Sequence, residues 1–138
     1  MKIAELAQRS GVSIHRLRRY ESQGLLKARR SPSGHREFES SAVREAIFIA
    51  MGRDLGFPLD RLAEVLPLYR TGRLTYDDMT SFMRERIEEV DTQIAALRAL
   101  RRRLVQHIGW LLRRQKAALQ RTTSSSPFLA AARSKRRR

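Results

Sequence analysis

A long segment without helix breakers is the feature that most constrains this fold. Residues 75–121 contain no proline and one glycine, and from Met83 onward the apolar residues follow a heptad repeat. Such a repeat is typical of a helix that buries one stripe against a partner helix. One helix of this length extends ~70 Å, farther than a small domain of the same chain can cover. A coiled coil with a second copy is therefore preferred over an amphipathic helix packed on its own domain.

The heptad positions define the predicted dimerisation stripe. The first seam position takes Met83, Val90, Leu97, Leu104, Leu111 and Ala118, and the second takes Ile87, Ile94, Arg101, Ile108 and Gln115. Thr75 and Asp78 precede the stripe in the spacing of a capping box, which predicts the start of the helix.

The first 72 residues alternate short amphipathic stretches with turn residues. Gly11 is placed to end a first helix, Ser13 to cap a second, and Gly24 to end it. The apolar positions of these two helices are Ile3, Leu6, Ala7, Ile14, Leu17 and Tyr20. Two helices separated by a glycine-containing turn predict a helix-turn-helix, whose second helix normally enters the major groove of DNA.

Residues 25–38 predict a β-hairpin. The sequence Ser-Pro-Ser-Gly at residues 31–34 supplies a tight reversal between two short arms. The arms and tip carry Arg29, Arg30, His35 and Arg36. A basic hairpin after a helix-turn-helix is interpreted as a wing that contacts the phosphate backbone or a groove.

Two more helices are predicted between the hairpin and Gly72. Ser40 or Ser41 can cap the third helix, and Pro58 at the first helical position begins the fourth. The apolar positions are Val43, Ala46, Ile47 and Ala50 in the third helix, and Leu59, Leu62, Leu66 and Tyr69 in the fourth.

The charge of the chain indicates an acidic partner. Its 29 basic and 14 acidic residues leave a net charge of +15. His15, Arg16, Arg18 and Arg19 flank the apolar positions of the second helix. Such a cationic face is often only solvated, and arginine-rich codon usage offers a second explanation. Its place on the helix that would meet DNA favours a function in binding.

Several classes of function are excluded by what these 138 residues lack. There is no cysteine for a disulfide or thiolate site, and the three histidines are not at metal-ligand spacing. No phosphate-binding or nucleophile motif occurs. We therefore predict no enzyme, metal or cofactor. No apolar run reaches the ~20 residues of a membrane span, and the N-terminus does not resemble a signal peptide, so a cytoplasmic protein without membrane association is expected.

Four segments in the expected order resemble the MerR family of bacterial transcription regulators. They are residues 3–13 (IAELAQRSGVS), 17–26 (LRRYESQGLL), 33–38 (SGHREF) and 55–59 (LGFPL). The resemblance implies a mainly α fold, in which a winged helix-turn-helix domain (1–72) precedes a dimerisation helix (75–121) that forms an antiparallel coiled coil. A basic, disordered tail (122–138) is expected to add non-specific affinity.

The same resemblance implies a nucleoid-associated homodimer that binds a palindromic promoter operator and distorts it, with RNA polymerase acting on the same promoter. The residues implied in DNA binding are Ser13, His15, Arg16, Arg18, Arg19, Tyr20, Arg29, Arg30, His35, Arg36 and Arg53. For Arg18, a salt bridge with Glu21 or Glu5 is the structural alternative.

Two questions stay open at the level of the sequence. A non-specific nucleoid-type DNA binder and a basic RNA- or ribosome-associated coiled-coil protein are the alternative functions. Trp110, Phe82 and Tyr69 either line a small pocket at the dimer seam or only pack. The simplest hypothesis is a regulator without a dedicated effector domain.

Overall fold

The computed structural model describes residues 1–125, with side chains described through residue 122. These residues form five helices and one two-stranded hairpin. The elements are α1 (Ile3–Ser10), α2 (Ile14–Ser22), β1 (Arg29–Arg30), β2 (Arg36–Glu37), α3 (Ala42–Asp54), α4 (Leu59–Arg70) and α5 (Tyr76–Ser125). A mainly α fold with an N-terminal winged helix-turn-helix and a long C-terminal helix is thus confirmed. The chain divides into two compact units, Met1–Ile87 and a second that begins at Glu88.

The turn between α1 and α2 forms as its residues predict. Gly11 ends α1 in the left-handed conformation at φ 72°, and its amide donates to the Ala7 carbonyl. The Ser13 hydroxyl accepts a hydrogen bond from the Arg16 amide at 3.2 Å, which caps α2. Local chemistry therefore fixes where the second helix of the motif begins.

The hairpin is short and antiparallel. Its register pairs Arg29 with Glu37 and Arg30 with Arg36. At the tip, the Ser31 amide donates to the His35 carbonyl at 2.7 Å, and the Gly34 amide donates to the Ser31 carbonyl at 2.8 Å. The predicted wing is therefore present.

One hydrophobic core holds the first unit together. Its fully buried side chains are Leu6, Leu17, Leu26, Ile49 and Leu66, contributed by α1, α2, the start of the wing segment, α3 and α4. Removal of this apolar surface from water is the main stabilising term. Phe48 of α3 stacks on Tyr69 of α4 with ring centroids 4.3 Å apart.

Four details of the predicted helices differ from the structure. Ile14 and Ile47 are exposed at 37% and 38%, although each shares a helix face with a buried residue three positions later, Leu17 and Ala50; the covered part of each apolar face does not extend to them. Ser41 is the N-cap of α3, one of the two positions predicted, but its side chain makes no cap bond. The prediction for Pro58 is wrong, since Pro58 is the N-cap of α4 rather than its first residue.

The turn between α3 and α4 is tied down by two arginines. The Arg53 guanidinium donates to the Phe57 carbonyl at 2.8 Å, and the Arg86 guanidinium of α5 donates to the Leu55 carbonyl at 2.9 Å. Gly56 stands between these carbonyls at φ 90°. These bonds satisfy backbone groups that the end of α3 leaves unpaired.

Helix α5 begins with the predicted capping box. The Thr75 amide donates to the Asp78 carboxylate at 3.1 Å, and the Asp78 amide donates to the Thr75 hydroxyl at 3.0 Å. The helix continues to Ser125. The rest of the predicted tail, residues 126–138, lies outside the described residues.

In the second unit, α5 carries exposed apolar side chains along the predicted stripe. Val90, Ile94, Leu97, Leu104, Ile108 and Leu111 are all among the exposed large apolar residues. Trp110 stacks on His107 at 5.3 Å, and the Arg114 guanidinium lies 5.1 Å from the centre of the Trp110 ring. No helix within residues 1–125 is both long enough and apolar enough to cross a membrane.

Candidate nucleic-acid interface

Helix α2 presents a cationic face to solvent. Leu17 and Tyr20 are buried and fix the rotation of the helix, so that His15, Arg18 and Arg19 are exposed. Side chains three and four residues apart share a helix face. His15 and Arg18, together with Arg19 beside them, therefore form a compact positive patch on the element that would enter a major groove.

Arg16 is held in place by a carboxylate from another helix. Its guanidinium lies 3.1 Å from the Asp54 carboxylate at the end of α3 and 6.0 Å from the centre of the Tyr20 ring. Both partners lie within the Met1–Ile87 unit. The ion pair orients Arg16, and it also partly compensates the charge that this residue would offer to DNA.

The wing is fixed to α2 by an ion pair. The Arg36 guanidinium lies 3.2 Å from the Glu21 carboxylate of α2. At the base of the wing, Arg29 lies 2.8 Å from Glu39. The amino group of Met1 donates to the Phe38 carbonyl at 2.7 Å, which joins the start of the chain to the same strand end. These contacts keep the wing beside the helix-turn-helix.

A polar cleft of about 250 Å³ lies between α2 and the wing. Arg18, His35 and Arg36 line it, so three residues that the sequence analysis proposed for DNA binding are brought together. Lys2 lines the same cleft and was missed, because a lysine at a chain start carries no motif. Lys2 lies beside the wing because the backbones of Met1 and Phe38 are joined by two hydrogen bonds.

Arg18 is not used in the ion pairs that were considered as its alternative role. Within the described residues, Glu5 pairs with Arg9 at 3.9 Å and Glu21 pairs with Arg36. Neither carboxylate is therefore paired with Arg18, whose side chain is exposed.

Tyr20 was expected to contact DNA, but its burial contradicts that prediction. It is only 2% exposed, and its hydroxyl is buried without a hydrogen-bond partner in the part of the chain that the structure describes. A side chain in the core cannot contact DNA directly, so Tyr20 instead fixes the orientation of α2. Its apolar ring packs with Leu17 in the core, a position that the helical periodicity already indicated.

Arg53 differs from the arginines of the α2 patch, because its guanidinium is hydrogen-bonded to the backbone. Its guanidinium is committed to the Phe57 carbonyl and is only partly exposed. The structure gives Arg53 a structural contact in the turn between α3 and α4.

The described residues offer no alternative chemical site. No group of three or more His, Cys, Asp or Glu side chains among them is arranged to hold a metal ion. The arrangement of α1, α2 and the wing, with cations on the outer faces of the last two, defines a winged helix-turn-helix protein.

Comparisons with known proteins agree with this class. The profile described as "MerR family regulatory protein" matches residues 2–38, and the profile described as "MerR, DNA binding" matches residues 43–107. The HTH-type transcriptional regulator HmrR of Rhizobium leguminosarum bv. viciae is 31% identical over 104 residues, which cover 75% of this chain and 81% of that protein. The chain therefore belongs to the MerR family, whose members are DNA-binding regulators rather than enzymes.

Solved structures support the same fold. The transcription regulator PbrR691 from Ralstonia metallidurans CH34, in complex with lead(II), matches with a TM-score of 0.65 and 29% identity over 77% of this chain and 83% of that chain. HiNmlR, a MerR family regulator that lacks the sensor domain and is bound to promoter DNA, matches with a TM-score of 0.52 and 24% identity over 71% and 75%. The second likeness concerns the fold alone.

Proposed function

We propose that this protein is a homodimeric transcription regulator that binds a palindromic promoter operator and distorts it. Residues 1–72 would bind DNA, residues 75–121 would dimerise as an antiparallel coiled coil, and the basic residues 122–138 would add non-specific affinity. Besides the operator DNA, the proposed partner is RNA polymerase, which acts on the same promoter. The similarity to the HTH-type transcriptional regulator HmrR, 31% identical over 75% of this chain, supports the assignment of the winged domain to DNA.

The observation that carries the proposal is the clustering of basic side chains from separate parts of the sequence around one cleft, where Glu21 is the single acidic residue of the lining. Arg18 of α2 and His35 and Arg36 of the wing line one cleft. In the hairpin, Arg30 is directly opposite Arg36. Like charges at such paired positions destabilise a hairpin, whereas an anion bound between them reverses this effect. A phosphate backbone is such an anion.

The residues divide into those that read bases and those that bind phosphate. Phosphate contacts set the register of a protein on the duplex, and contacts to base edges specify sequence. Following the family resemblance, we assign His15, Arg16 and Arg18 of α2 to the major groove. The phosphate and wing-groove contacts are assigned to Ser13, Arg19, Arg29, Arg30, His35 and Arg36, with Arg53 as an outer contact.

Dimerisation is supported by the stripe along α5. An apolar stripe with heptad spacing that stays exposed in a single chain is what a coiled coil buries. The proposed stripe consists of Met83, Ile87, Val90, Ile94, Leu97, Leu104, Ile108 and Leu111. A twofold dimer presents two copies of α2, and this symmetry requires an inverted repeat in the operator.

Thiolate-bound metal is not part of the proposed function. PbrR691 was solved with lead(II), but the present sequence contains no cysteine. Its regulation is therefore assigned to its own concentration or to another molecule.

The experiment that tests this function is selection from a library of duplexes with a randomised 30-base-pair core. The full chain should enrich one inverted repeat and bind it about 10³-fold more tightly than random duplex. Recovery of unrelated sequences with equal affinity would indicate a nucleoid-type binder, and preference for folded RNA over duplex would indicate an RNA-binding protein. Altered gel mobility of circularly permuted operator fragments then measures the proposed distortion.

A further inference from the structure

A second cleft lies away from the cationic surface. It has a volume of about 150 Å³ and is formed by α3, α4 and the first two turns of α5. All of its walls belong to the Met1–Ile87 unit. The cleft is therefore a feature of one folded unit, and a molecule inside it would contact three helices at once.

The walls of this cleft are almost entirely apolar. Phe48 and Met51 come from α3, Leu62 and Val65 from α4, and Met79 and Phe82 from α5. Concave apolar surfaces of this kind are where proteins most often bind small molecules. Their chemistry excludes the DNA backbone as the occupant, because a phosphate there would lose its hydration without gaining a polar partner.

The one charged residue of the lining is already neutralised. The Arg61 guanidinium lies 2.9 Å from both the Glu64 and the Glu85 carboxylates, and these hydrogen bonds raise the pKa of Arg61. It also stands over the Phe82 ring, 4.7 Å from the centre. Because the Arg61 guanidinium is already paired with two carboxylates and packed on a ring, the cleft offers no free charge that would increase its affinity for a charged ligand.

The methionines indicate which neutral ligand fits. Three of the four methionines in the chain, Met51, Met79 and Met83, line the cleft. Thioether sulfur makes favourable contacts with aromatic rings, and methionine adapts its shape to what it contacts. An apolar cavity of this volume holds one molecule of the size of benzene.

We propose that this cleft is a binding site for one small, uncharged, single-ring aromatic molecule. The cleft shares no lining residue with the cationic cleft between α2 and the wing, but Met83 belongs both to the cleft and to the proposed dimerisation stripe, so toluene binding and dimerisation are measured separately. The proposal assigns to the chain a ligand site without a separate effector domain. Of the three aromatic residues that the sequence suggested for a small pocket, Phe82 lines this cleft and Trp110 and Tyr69 do not. The other lining residues were not predicted, because they are distributed from Phe48 to Met83 and show no motif.

The test is a titration of the full chain, labelled with ¹³C at the methionine methyl groups, with toluene as the probe. Toluene should shift the signals of Met51, Met79 and Met83 with one saturable curve and leave Met1 unchanged, which serves as the internal control. Benzoate and benzylammonium, the charged analogues of similar size, should bind at least tenfold more weakly.

A matched pair of variants locates the site. Met51→Trp puts a larger side chain at an exposed residue of the lining and should weaken toluene binding at least tenfold. Ile47→Trp places the same ring one turn earlier on α3, outside the lining, and should leave binding unchanged. Both original side chains are exposed, so both variants are expected to fold.

Four outcomes would overturn the proposal. They are the absence of a saturable shift, equal shifts of all four methionines, benzoate binding as tight as that of toluene, and equal weakening by the two variants. A concentration-dependent change at Met51, Met79 and Met83 without toluene, combined with no toluene binding, would mean that a second copy of the chain occupies the cleft.

Discussion

At the scale of single residues, arginine has two different functions in this protein. The Arg70 guanidinium donates to the Glu45 carboxylate at 2.9 Å and to the Leu25 carbonyl at 2.6 Å, so its donors are used to hold the fold. Arg18 is exposed on α2 and lines the cleft beside the wing. Sequence reasoning could place both on helices, but it could not separate them, because the partners of Arg70 are 25 and 45 residues away.

Arg18→Ala is expected to weaken binding to the selected operator by roughly 5- to 150-fold, which corresponds to ~1–3 kcal/mol for the loss of a base contact. Affinity for random duplex should fall less, because only one phosphate-attracting charge is removed. Fluorescence anisotropy at fixed salt measures both. Arg9→Ala, which removes the same charge from α1, is the control. Equal losses on operator and random duplex would disprove base reading by Arg18.

Arg70→Met is expected to lower the free energy of unfolding by about 2 kcal/mol, because it leaves a partly buried carboxylate without its partner. The Glu45 side chain is 13% exposed and that of Arg70 is 32% exposed. Urea unfolding at one protein concentration measures the change. Arg9→Met breaks the exposed pair with Glu5 and should change stability by no more than ~0.5 kcal/mol. A similar cost for both variants would show that the Arg70 contacts add little.

At the scale of the elements, the accuracy of sequence-based prediction follows the range of the interaction. The Gly11 turn, the Ser13 cap, the hairpin and the Thr75–Asp78 capping box all depend on neighbours within a few residues, and all were predicted correctly. The exposure of Ile14 and Ile47, and the ion pair of Arg16 with Asp54, depend on how helices pack. Helical periodicity gives an apolar face but not which part of it another element covers.

Gly11 and Gly56 both have positive φ, and the stability costs of replacing each by alanine can be compared. A Cβ at Gly11 would meet nothing within 4 Å, whereas a Cβ at Gly56 would collide with the Arg86 guanidinium. Gly11→Ala should therefore cost only backbone strain, ~1–2 kcal/mol. Gly56→Ala should cost about 0.5–1.5 kcal/mol more, because the Arg86 side chain must move away and give up its bond to Leu55. Chemical denaturation measures both, and equal costs would show that the Arg86 contact does not stabilise the turn.

At the scale of the whole molecule, the proposed function depends on α5 joining two chains. The heptad stripe was read from sequence periodicity alone, and its residues are exposed in the single chain. The antiparallel orientation of the two α5 helices came only from the family resemblance. Neither the heptad periodicity nor the structure of a single chain determines the relative direction of the two helices. The cationic surface, in contrast, needed the fold, because residues of α2 and the wing meet only through tertiary contacts.

Leu104→Glu should weaken dimerisation by about 100-fold or more, because a carboxylate at a seam position must lose its hydration when the coiled coil forms. Leu112→Glu is the matched control, since both leucines are 58% exposed in the single chain and only Leu104 lies in the stripe. Sedimentation equilibrium measures the dissociation constant. If both variants dimerise equally well, the assigned seam is wrong.

Operator recognition by a symmetric dimer is tested by comparing the selected inverted repeat with a duplex in which one half-site is scrambled. If a symmetric dimer reads the operator with both copies of α2, losing one half-site should reduce affinity at least ~100-fold, close to the level of random DNA. The binding curve on the intact repeat should saturate at two chains per duplex. Equal affinity for the intact and the half-scrambled duplex would contradict the account.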